Sequence, residues 1–196
     1  MQPVRGIMKR LSKAERRTQL LQAAMAIVAE RGADALTLGY LAERAGISKP
    51  VVYDHFGTRS GLLIALYRQI DDRQVRALEE ALAHAPKRLR DIARIASEAY
   101  MNCYTSIGPE WHAISAALRG DDEMDAAQQE MIDGYVDLYR RALAPYSKLP
   151  ASDLQLRCTA IIGAAEAISR DLIRKRTGKA KAAATLSALI ACAVSA

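Results

Sequence analysis

The chain has few of the residues on which secreted, disulfide-linked or membrane-spanning proteins depend. It holds three cysteines and six prolines in 196 residues, and no apolar run approaches the roughly 18 residues that a membrane span requires. Cys103, Cys158 and Cys192 are odd in number and lack a CxxC spacing, which predicts reduced, buried thiols; a redox switch at one of them is the alternative. The first apolar stretch, 20–28, is interrupted by Gln22, unlike a signal peptide, so we expect a cytoplasmic protein with no membrane partner.

The sequence also lacks the patterns that catalysis requires. His84 and His112 fall in different predicted helices and have no spacing suited to a metal. We find no Ser/His/Asp or Cys/His arrangement and no glycine-rich phosphate loop. The sequence therefore predicts that the protein is not an enzyme and binds neither a metal nor a cofactor.

Composition indicates an all-α protein with an uneven charge distribution. Alanine is abundant, and runs of β-branched residues are few. Residues 1–60 hold ten Lys and Arg against five Asp and Glu, whereas residues 61–196 hold eighteen against seventeen. A basic N-terminal part on a nearly neutral remainder is typical of a DNA-binding domain joined to a domain with another task. A solvated basic face is the alternative explanation.

Residues 37–63 predict two short helices around a tight turn. Thr37 is placed to cap the first helix, and Gly46 allows a left-handed stop at its end. Ser48 begins the second helix, and Pro50 falls in its first turn, where a missing amide hydrogen is tolerated. The buried face of the first helix is predicted at Leu38, Leu41, Ala42 and Ala45. This arrangement is a helix-turn-helix, whose second helix is shaped to enter a DNA major groove.

The same segment resembles a known family. The residues that match are Thr37, Leu41, Ala42, Ala45, Gly46, Ile47, Ser48, Tyr53, His55, Phe56, Arg59, Leu62 and Leu63. Together they look like the signature of TetR-type transcriptional repressors, over residues 14–67. The resemblance implies a helix-turn-helix domain of three helices over 1–60, with a flexible basic arm at 1–12, and a helical ligand-binding and dimerisation domain over 61–196. It also implies a homodimer that binds a palindromic operator in double-stranded DNA and responds to a small molecule.

The resemblance carries over to individual DNA contacts. These residues are Thr37, Ser48, Lys49, Pro50, Val51, Tyr53, His55 and Arg59. Lys49 suits guanine O6 and N7, Pro50 and Val51 suit a thymine methyl group, and the remaining five suit phosphate. Gly39 has no side chain at a position where the family often has a polar residue that contacts DNA. Asp54 would accept from cytosine N4, repel phosphate, or pair with Arg59 or Lys49.

Helical periodicity and end signals predict the rest of the chain. The further helices are expected at 12–31, from residue 58 or 60 to 83, and at 87–106, 110–118, 121–144, 152–176 and 179–194, which makes about nine in total. The last two are apolar over more than one face, which predicts pairing with a second copy about a two-fold axis. The interface residues would be Leu154, Ile161, Ile162, Ala165, Ile168, Leu172, Leu186, Leu189 and Ile190. Burial inside the monomer is the alternative.

Aromatic and sulfur-containing side chains gather in three successive predicted helices. The candidate ligand-binding residues are Tyr100, Cys103, Tyr104, Trp111, Met131, Tyr135 and Tyr139. They predict a pocket for a mainly apolar molecule, although such residues equally fill a core. Glu98, Asp137 or Glu166 would select a cation if buried. The function expected is a ligand-responsive repressor, and the alternative is a constitutive dimeric DNA-binding protein whose second domain only dimerises.

Overall fold

The computed structural model describes residues 11–106 and 109–195, and it does not describe the side chains of residues 104, 106 and 109–112. Over these residues it contains α-helices, short 3-10 turns and no strands, which confirms the all-α prediction. The helices are α1 (Lys13–Arg31), α2 (Leu38–Ala45), α3 (Lys49–Phe56), α4 (Arg59–Ala83), α5 (Leu89–Ser106), α6 (Pro109–Ala117), α7 (Asp122–Leu143), α8 (Ala151–Ile173) and α9 (Lys179–Val194). No described helix is long and apolar enough to cross a membrane. Most of the predicted arm, residues 1–10, lies outside the described residues.

The chain divides into two compact units, at a different place from the predicted boundary after residue 60. The first unit reaches Tyr67 and also contains Pro109–Arg119, and the second holds Arg68–Gly108 and the chain from Gly120 onward. The division falls inside α4 because the first two turns of that helix bury Leu62, Leu63 and Leu66. One continuous helix therefore contributes residues to both units.

Helix α1 begins and ends where its sequence signals predict. Ser12 and Glu15 form a capping box, in which the Glu15 backbone N–H donates to the Ser12 hydroxyl at 3.2 Å and the Ser12 backbone N–H donates to the Glu15 carboxylate at 2.7 Å. The buried stripe includes Leu20 and Ile27, both fully buried. Gly32 ends the helix with a φ of 80°.

The core of the second unit is built from α5, α7, α8 and α9, with Leu78 from α4. Six of the predicted interface residues belong to this core, each no more than 3% exposed: Leu154, Ile161, Ile162, Ala165, Leu186 and Ile190. These six residues were predicted to form an interface between two copies, but neighbouring helices of the same chain cover them. Ile168 and Leu172 are half-buried and pack against the core, whereas Leu189 is 44% exposed.

Two further sequence predictions about this unit need correction. Helix α8 begins at Ala151 after Pro150, so Ser152 lies inside the first turn and does not cap it. Cys158 is buried and Cys103 half-buried, but Cys192 is exposed on the outward face of α9. The prediction of three buried thiols is therefore wrong for Cys192, because periodicity did not show which side of α9 faces the core.

Candidate functional site

The turn between α2 and α3 has the geometry of a helix-turn-helix. The Thr37 hydroxyl accepts from the Tyr40 backbone N–H at 3.1 Å and so caps α2. Gly46 ends α2 in the left-handed region with φ 64° and ψ 35°, and the next amide, that of Ile47, donates back to the Ala42 carbonyl at 2.9 Å. Both predicted signals are therefore confirmed.

Helix α3 has one buried face and a broad exposed one. Val52 is fully buried and Phe56 is 8% exposed, so these two side chains fix the helix on the domain. The exposed residues are Lys49, Pro50, Val51, Tyr53 and Asp54. Among them, the Val51 side chain is 36% exposed and that of Tyr53 51% exposed. An apolar and an aromatic side chain left open to solvent on a short helix suit contact with another molecule.

Lys49 lies across the position where α2 has no side chain. A Cβ atom built on Gly39 would lie 3.7 Å from Lys49 Cε and 3.9 Å from its Nζ. The end of the Lys49 side chain therefore lies beside Gly39, at a distance where an added methyl group would make ordinary van der Waals contact. Nothing in the linear pattern of the sequence indicates that these two positions are neighbours.

Asp54 pairs with Lys13, which was not among the partners predicted for it. Its carboxylate lies 3.0 Å from Lys13 Nζ at the start of α1, and both side chains are largely exposed. The hydrogen bond and the charge of Lys13 lower the pKa of Asp54. The expected pairing with Arg59 or Lys49 is thus replaced by one with Lys13, which offsets the negative charge on α3.

The C-terminal end of α3 is held by α1. Arg17 Nη1 donates to the His55 carbonyl at 2.7 Å, and its guanidinium lies 4.8 Å from the centre of the Phe56 ring. This satisfies a carbonyl at the helix end that has no partner within the helix. His55 is half-buried, and burial, followed by the charge of Lys13, lowers the pKa of its imidazole. A phosphate contact from His55 at neutral pH would therefore be a hydrogen bond from a neutral ring.

Arg59 and Ser48, which were also predicted to contact phosphate, have different surroundings. Arg59 donates from Nε to the Leu36 carbonyl at 2.9 Å and from Nη2 to the Ala33 carbonyl at 2.8 Å. Arg59 thus holds the turn before α2, and its predicted contact with DNA would use its remaining donors. The Ser48 hydroxyl makes no capping bond at the start of α3 and is exposed.

The predicted ligand-binding residues of the second unit fall into different environments. Tyr139 is 1% exposed, and its hydroxyl donates to the Ala96 carbonyl at 3.2 Å, so it is a core residue. The rings of Tyr100 and Tyr135 lie edge to face with centres 6.2 Å apart. Cys103 and Met131 are half-buried. Tyr104 and Trp111 were also predicted, and their side chains lie outside the described residues.

One of these aromatic residues, Tyr135, contacts a carboxylate that was not among the predicted site residues. The Tyr135 hydroxyl donates to Asp71 Oδ1 at 3.2 Å. Burial, opposed by that hydrogen bond and reinforced by the charge of Asp72, raises the pKa of Asp71 to about 6. Burial and the Asp71 charge together raise the pKa of the Cys103 thiol to about 12. Asp71 follows Tyr67 by four residues, so an acid within the apolar stripe of α4 was the signal available in the sequence.

The three acids that were predicted from the sequence to select a cation have different surroundings from Asp71. Glu98 is exposed and pairs with Arg94 at 3.0 Å. Asp137 pairs with Arg140, which lowers the pKa of its carboxyl. Glu166 is half-buried on α8. Within the described residues, no group of three or more His, Cys, Asp or Glu side chains is placed to hold a metal ion.

The second unit also has surface grooves between α5 and α9. Two of them, of 850 and 870 Å³, are lined by alanines of α9 and by charged residues of α5 that include Arg90. None of the predicted ligand-binding residues lines either groove. The grooves and the aromatic cluster are therefore separate features.

The N-terminal part of the chain is similar to known regulatory proteins. Residues 20–66 match the family model described as bacterial regulatory proteins, tetR family. The transcriptional activator FasR of Mycolicibacterium smegmatis is 41% identical over 73 residues, which are 37% of this chain and 33% of that protein. The regulator BetI of Stenotrophomonas maltophilia is 40% identical over 68 residues, 35% of this chain and 33% of BetI. The match thus spans 33% of the length of each of these two relatives.

Solved structures resemble most of the chain. A TetR-like transcriptional regulator from a Rhodococcus species is 25% identical with a TM-score of 0.59, covering 92% of this chain and 96% of that one. FadR of Bacillus subtilis, solved in complex with stearoyl-CoA, is 16% identical with a TM-score of 0.64, covering 91% and 97% of the two chains. The FadR likeness shows a shared fold. Over residues 20–66 the chain is thus similar to the bacterial regulatory proteins of the tetR family, and over most of its length it resembles a solved TetR-like transcriptional regulator.

Proposed function

We propose that the protein is a ligand-responsive transcriptional repressor that binds a palindromic operator as a homodimer and is released by a mainly apolar small molecule. The observation that carries the DNA-binding part is the exposed surface of α3, fixed from behind by Val52 and Phe56. The family is one of regulatory proteins rather than enzymes, which supports this function.

The contacts proposed for α3 follow from the chemistry of its exposed side chains. Lys49 Nζ would donate to guanine O6 and N7, and Pro50 and Val51 would contact a thymine methyl group. The Tyr53 hydroxyl and the neutral His55 imidazole would donate to phosphate. Ser48, Thr37 and the free amides at the helix starts would do the same. Two copies of α3, held about 34–36 Å apart in a dimer, would read the two halves of the operator.

We place the dimer contact on the outward face of α8 and α9 rather than on the six core residues named above. Leu156 is 72% exposed and Leu189 is 44% exposed, which leaves apolar surface uncovered on each helix. Ala160 and Gly163 are exposed on the same side of α8 as Leu156, and their small size would let a partner helix approach closely. A two-fold axis here would cover each face with its own copy.

The ligand response is proposed for the cluster around Tyr100, Cys103, Met131 and Tyr135. A relative of the same fold, FadR, was solved with stearoyl-CoA, a molecule with a long apolar chain, which supports an apolar ligand here. Helix α4 contributes residues to both units and would carry the response. A ligand would release DNA only to the extent that it prefers the state with lower operator affinity.

The DNA-binding proposal is tested with fragments selected from the source genome and measured by fluorescence anisotropy. Lys49→Ala removes a base contact and should weaken operator binding by about 1–3 kcal/mol per site. Lys148→Ala is the matched control, because Lys148 is also exposed but lies in the loop before α8. Equal operator affinity of both variants and the native protein would contradict the assignment of α3 as the reading helix.

A constitutive DNA-binding protein is the second candidate, and one observation favours it. Tyr139 is packed in the core with its hydroxyl already bonded, so part of the predicted pocket is filled by the protein itself. Operator affinity that no apolar ligand changes would support this candidate.

A reporter gene under the operator separates repression from activation, since FasR is described as an activator. Higher expression without the protein supports the repressor.

A further inference from the structure

We propose that Asp71, Tyr100 and Tyr135 form a binding site for an organic cation, a quaternary ammonium or a protonated amine. The proposal rests on the ligand response above for its regulatory role and adds the chemical class of the ligand. It assigns a positive charge to the mainly apolar molecule predicted from the sequence, and it assigns the selection of that charge to Asp71 rather than to Glu98, Asp137 or Glu166.

One carboxylate is hydrogen-bonded to the first of two packed aromatic residues. Asp71 on α4 is half-buried and accepts from the Tyr135 hydroxyl of α7 at 3.2 Å. The Tyr135 ring packs against that of Tyr100 on α5 at an angle of 67°. Three helices therefore each supply one of the groups. A carboxylate with adjacent aromatic rings attracts an organic cation by charge and by the electron-rich ring faces.

The groups around Asp71 supply no positive charge within the described residues. On α4, the guanidinium of Arg68, three residues before Asp71, pairs with Glu130 of α7, and Arg73, two residues after Asp71, is exposed. The titratable groups that face Asp71 are Asp72 on its own helix, Cys103 on α5 and Tyr135 on α7. Asp72 is acidic, and burial raises the pKa values of the Cys103 thiol and the Tyr135 hydroxyl, so both stay neutral.

An ionised carboxylate without a counter-charge is costly in a partly buried position. Such groups are usually paired with a cation, or they take up a proton instead. The raised pKa of Asp71 reflects this cost. A bound organic cation would supply the missing charge, and its apolar substituents would contact the tyrosine rings and the half-buried Met131 and Cys103. A metal ion fits less well, because no group of three ligating side chains is present in the described part.

Ligand affinity should therefore depend on pH through Asp71. With a pKa of about 6, the carboxylate is ionised at pH 7.5 and largely protonated at pH 5. Affinity for a cation of fixed charge should fall by about tenfold between these two values. An uncharged ligand would show no such fall.

The test uses isothermal titration calorimetry on the full chain without DNA. The probes are benzyltrimethylammonium and neopentylbenzene, its uncharged carbon analogue. The native protein should bind the cation at least about tenfold more tightly than the analogue at pH 7.5, and Asp71→Asn should remove that preference and the pH dependence. Asp72→Asn is the matched control, because it makes the same chemical change at the exposed neighbouring position and should alter affinity by no more than about twofold.

We expect Asp71→Asn to remain folded, so its loss of cation binding would not result from unfolding. A folded-state pKa raised from 3.8 to about 6 means that the folded protein binds this proton more tightly than the unfolded chain. Asp71 therefore opposes folding increasingly as pH rises through this window, and Asp71→Asn should be at least as stable as the native protein at pH 7.5. Urea unfolding of each variant checks this directly.

Each outcome decides the proposal. Equal affinity for the cation and its analogue, no binding of the cation, or unchanged cation binding by Asp71→Asn would overturn it. None of these results bears on operator binding, which is measured separately with DNA. Tight cation binding that leaves operator affinity unchanged would support the site while contradicting the ligand response.

Discussion

Gly61 occupies the position with the least room in the first unit. A Cβ atom there would lie 2.3 Å from the Phe56 carbonyl oxygen, a distance at which the backbone must move. The Gly61 N–H also donates to the Thr58 hydroxyl at 2.9 Å, so α4 is capped by Thr58, one of the two residues at which the sequence predicted its start. The junction between α3 and α4 therefore depends on a missing side chain.

We expect Gly61→Ala to lower the free energy of unfolding by about 1–3 kcal/mol, because the added methyl group overpacks the junction. The measurement is urea unfolding followed by circular dichroism. Gly39→Ala is the matched control: its Cβ would make ordinary contact with Lys49 at 3.7 Å, and the helix gains from alanine. If the two variants were equally stable, the close approach at Gly61 would have no energetic consequence.

Residue-scale contacts were the least predictable part of the candidate site. The resemblance to TetR-type repressors implied Lys49, Val51 and Tyr53 as DNA contacts, and all three side chains are exposed. It did not indicate Arg17 or the Lys13–Asp54 pair, which join residues far apart in the chain. Such partners depend on how α1 crosses α3, and no local pattern encodes that crossing.

At the scale of helices, two glycines stand in helix interiors without a steric reason inside the chain. A Cβ atom at Gly134 in α7, or at Gly163 in α8, would meet nothing within 4 Å. Glycine in a helix interior costs about 0.5–1 kcal/mol relative to alanine. The close approach of a partner helix would explain why glycine occupies position 163, whereas the structure offers no explanation for glycine at position 134.

Gly134→Ala should raise the free energy of unfolding by about 0.5–1 kcal/mol and leave self-association unchanged. Gly163→Ala should weaken the dimer, because the added methyl group would separate the two copies of α8. Analytical ultracentrifugation over a concentration series gives the dimer dissociation constant of each variant. An unchanged constant for Gly163→Ala would remove Gly163 from the proposed interface.

At the scale of the whole molecule, operator binding and dimerisation should be inseparable. A palindromic operator binds two linked reading helices more tightly than two separate ones, since linkage makes the second contact intramolecular. Loss of the dimer should therefore weaken DNA binding even though every residue of α3 is intact. The proposed face on α8 and α9 lies in a different unit from α3, so its variants leave the DNA contacts unchanged.

Ala160→Glu places a charge on this face and should dissociate the dimer, lowering operator affinity by at least about tenfold. Ala126→Glu is the matched control, an exposed alanine of α7 outside the proposed face. Size-exclusion chromatography with light scattering reports mass, and anisotropy reports DNA binding. A dimeric Ala160→Glu protein with native operator affinity would show that the copies meet elsewhere.

Local sequence signals were enough to predict the all-α class and most helix ends, because these depend on neighbours only a few residues apart. Ser12, Thr37 and Gly46 act locally through a hydrogen bond or a permitted backbone angle, and each was predicted correctly. The tertiary structure alone decided which apolar faces are covered, so Leu154 and Ile161 belong to a core rather than to an interface. It also decided that Asp71 lies beside Tyr135, 64 residues away, because burial and charge depend on helices that only folding brings together.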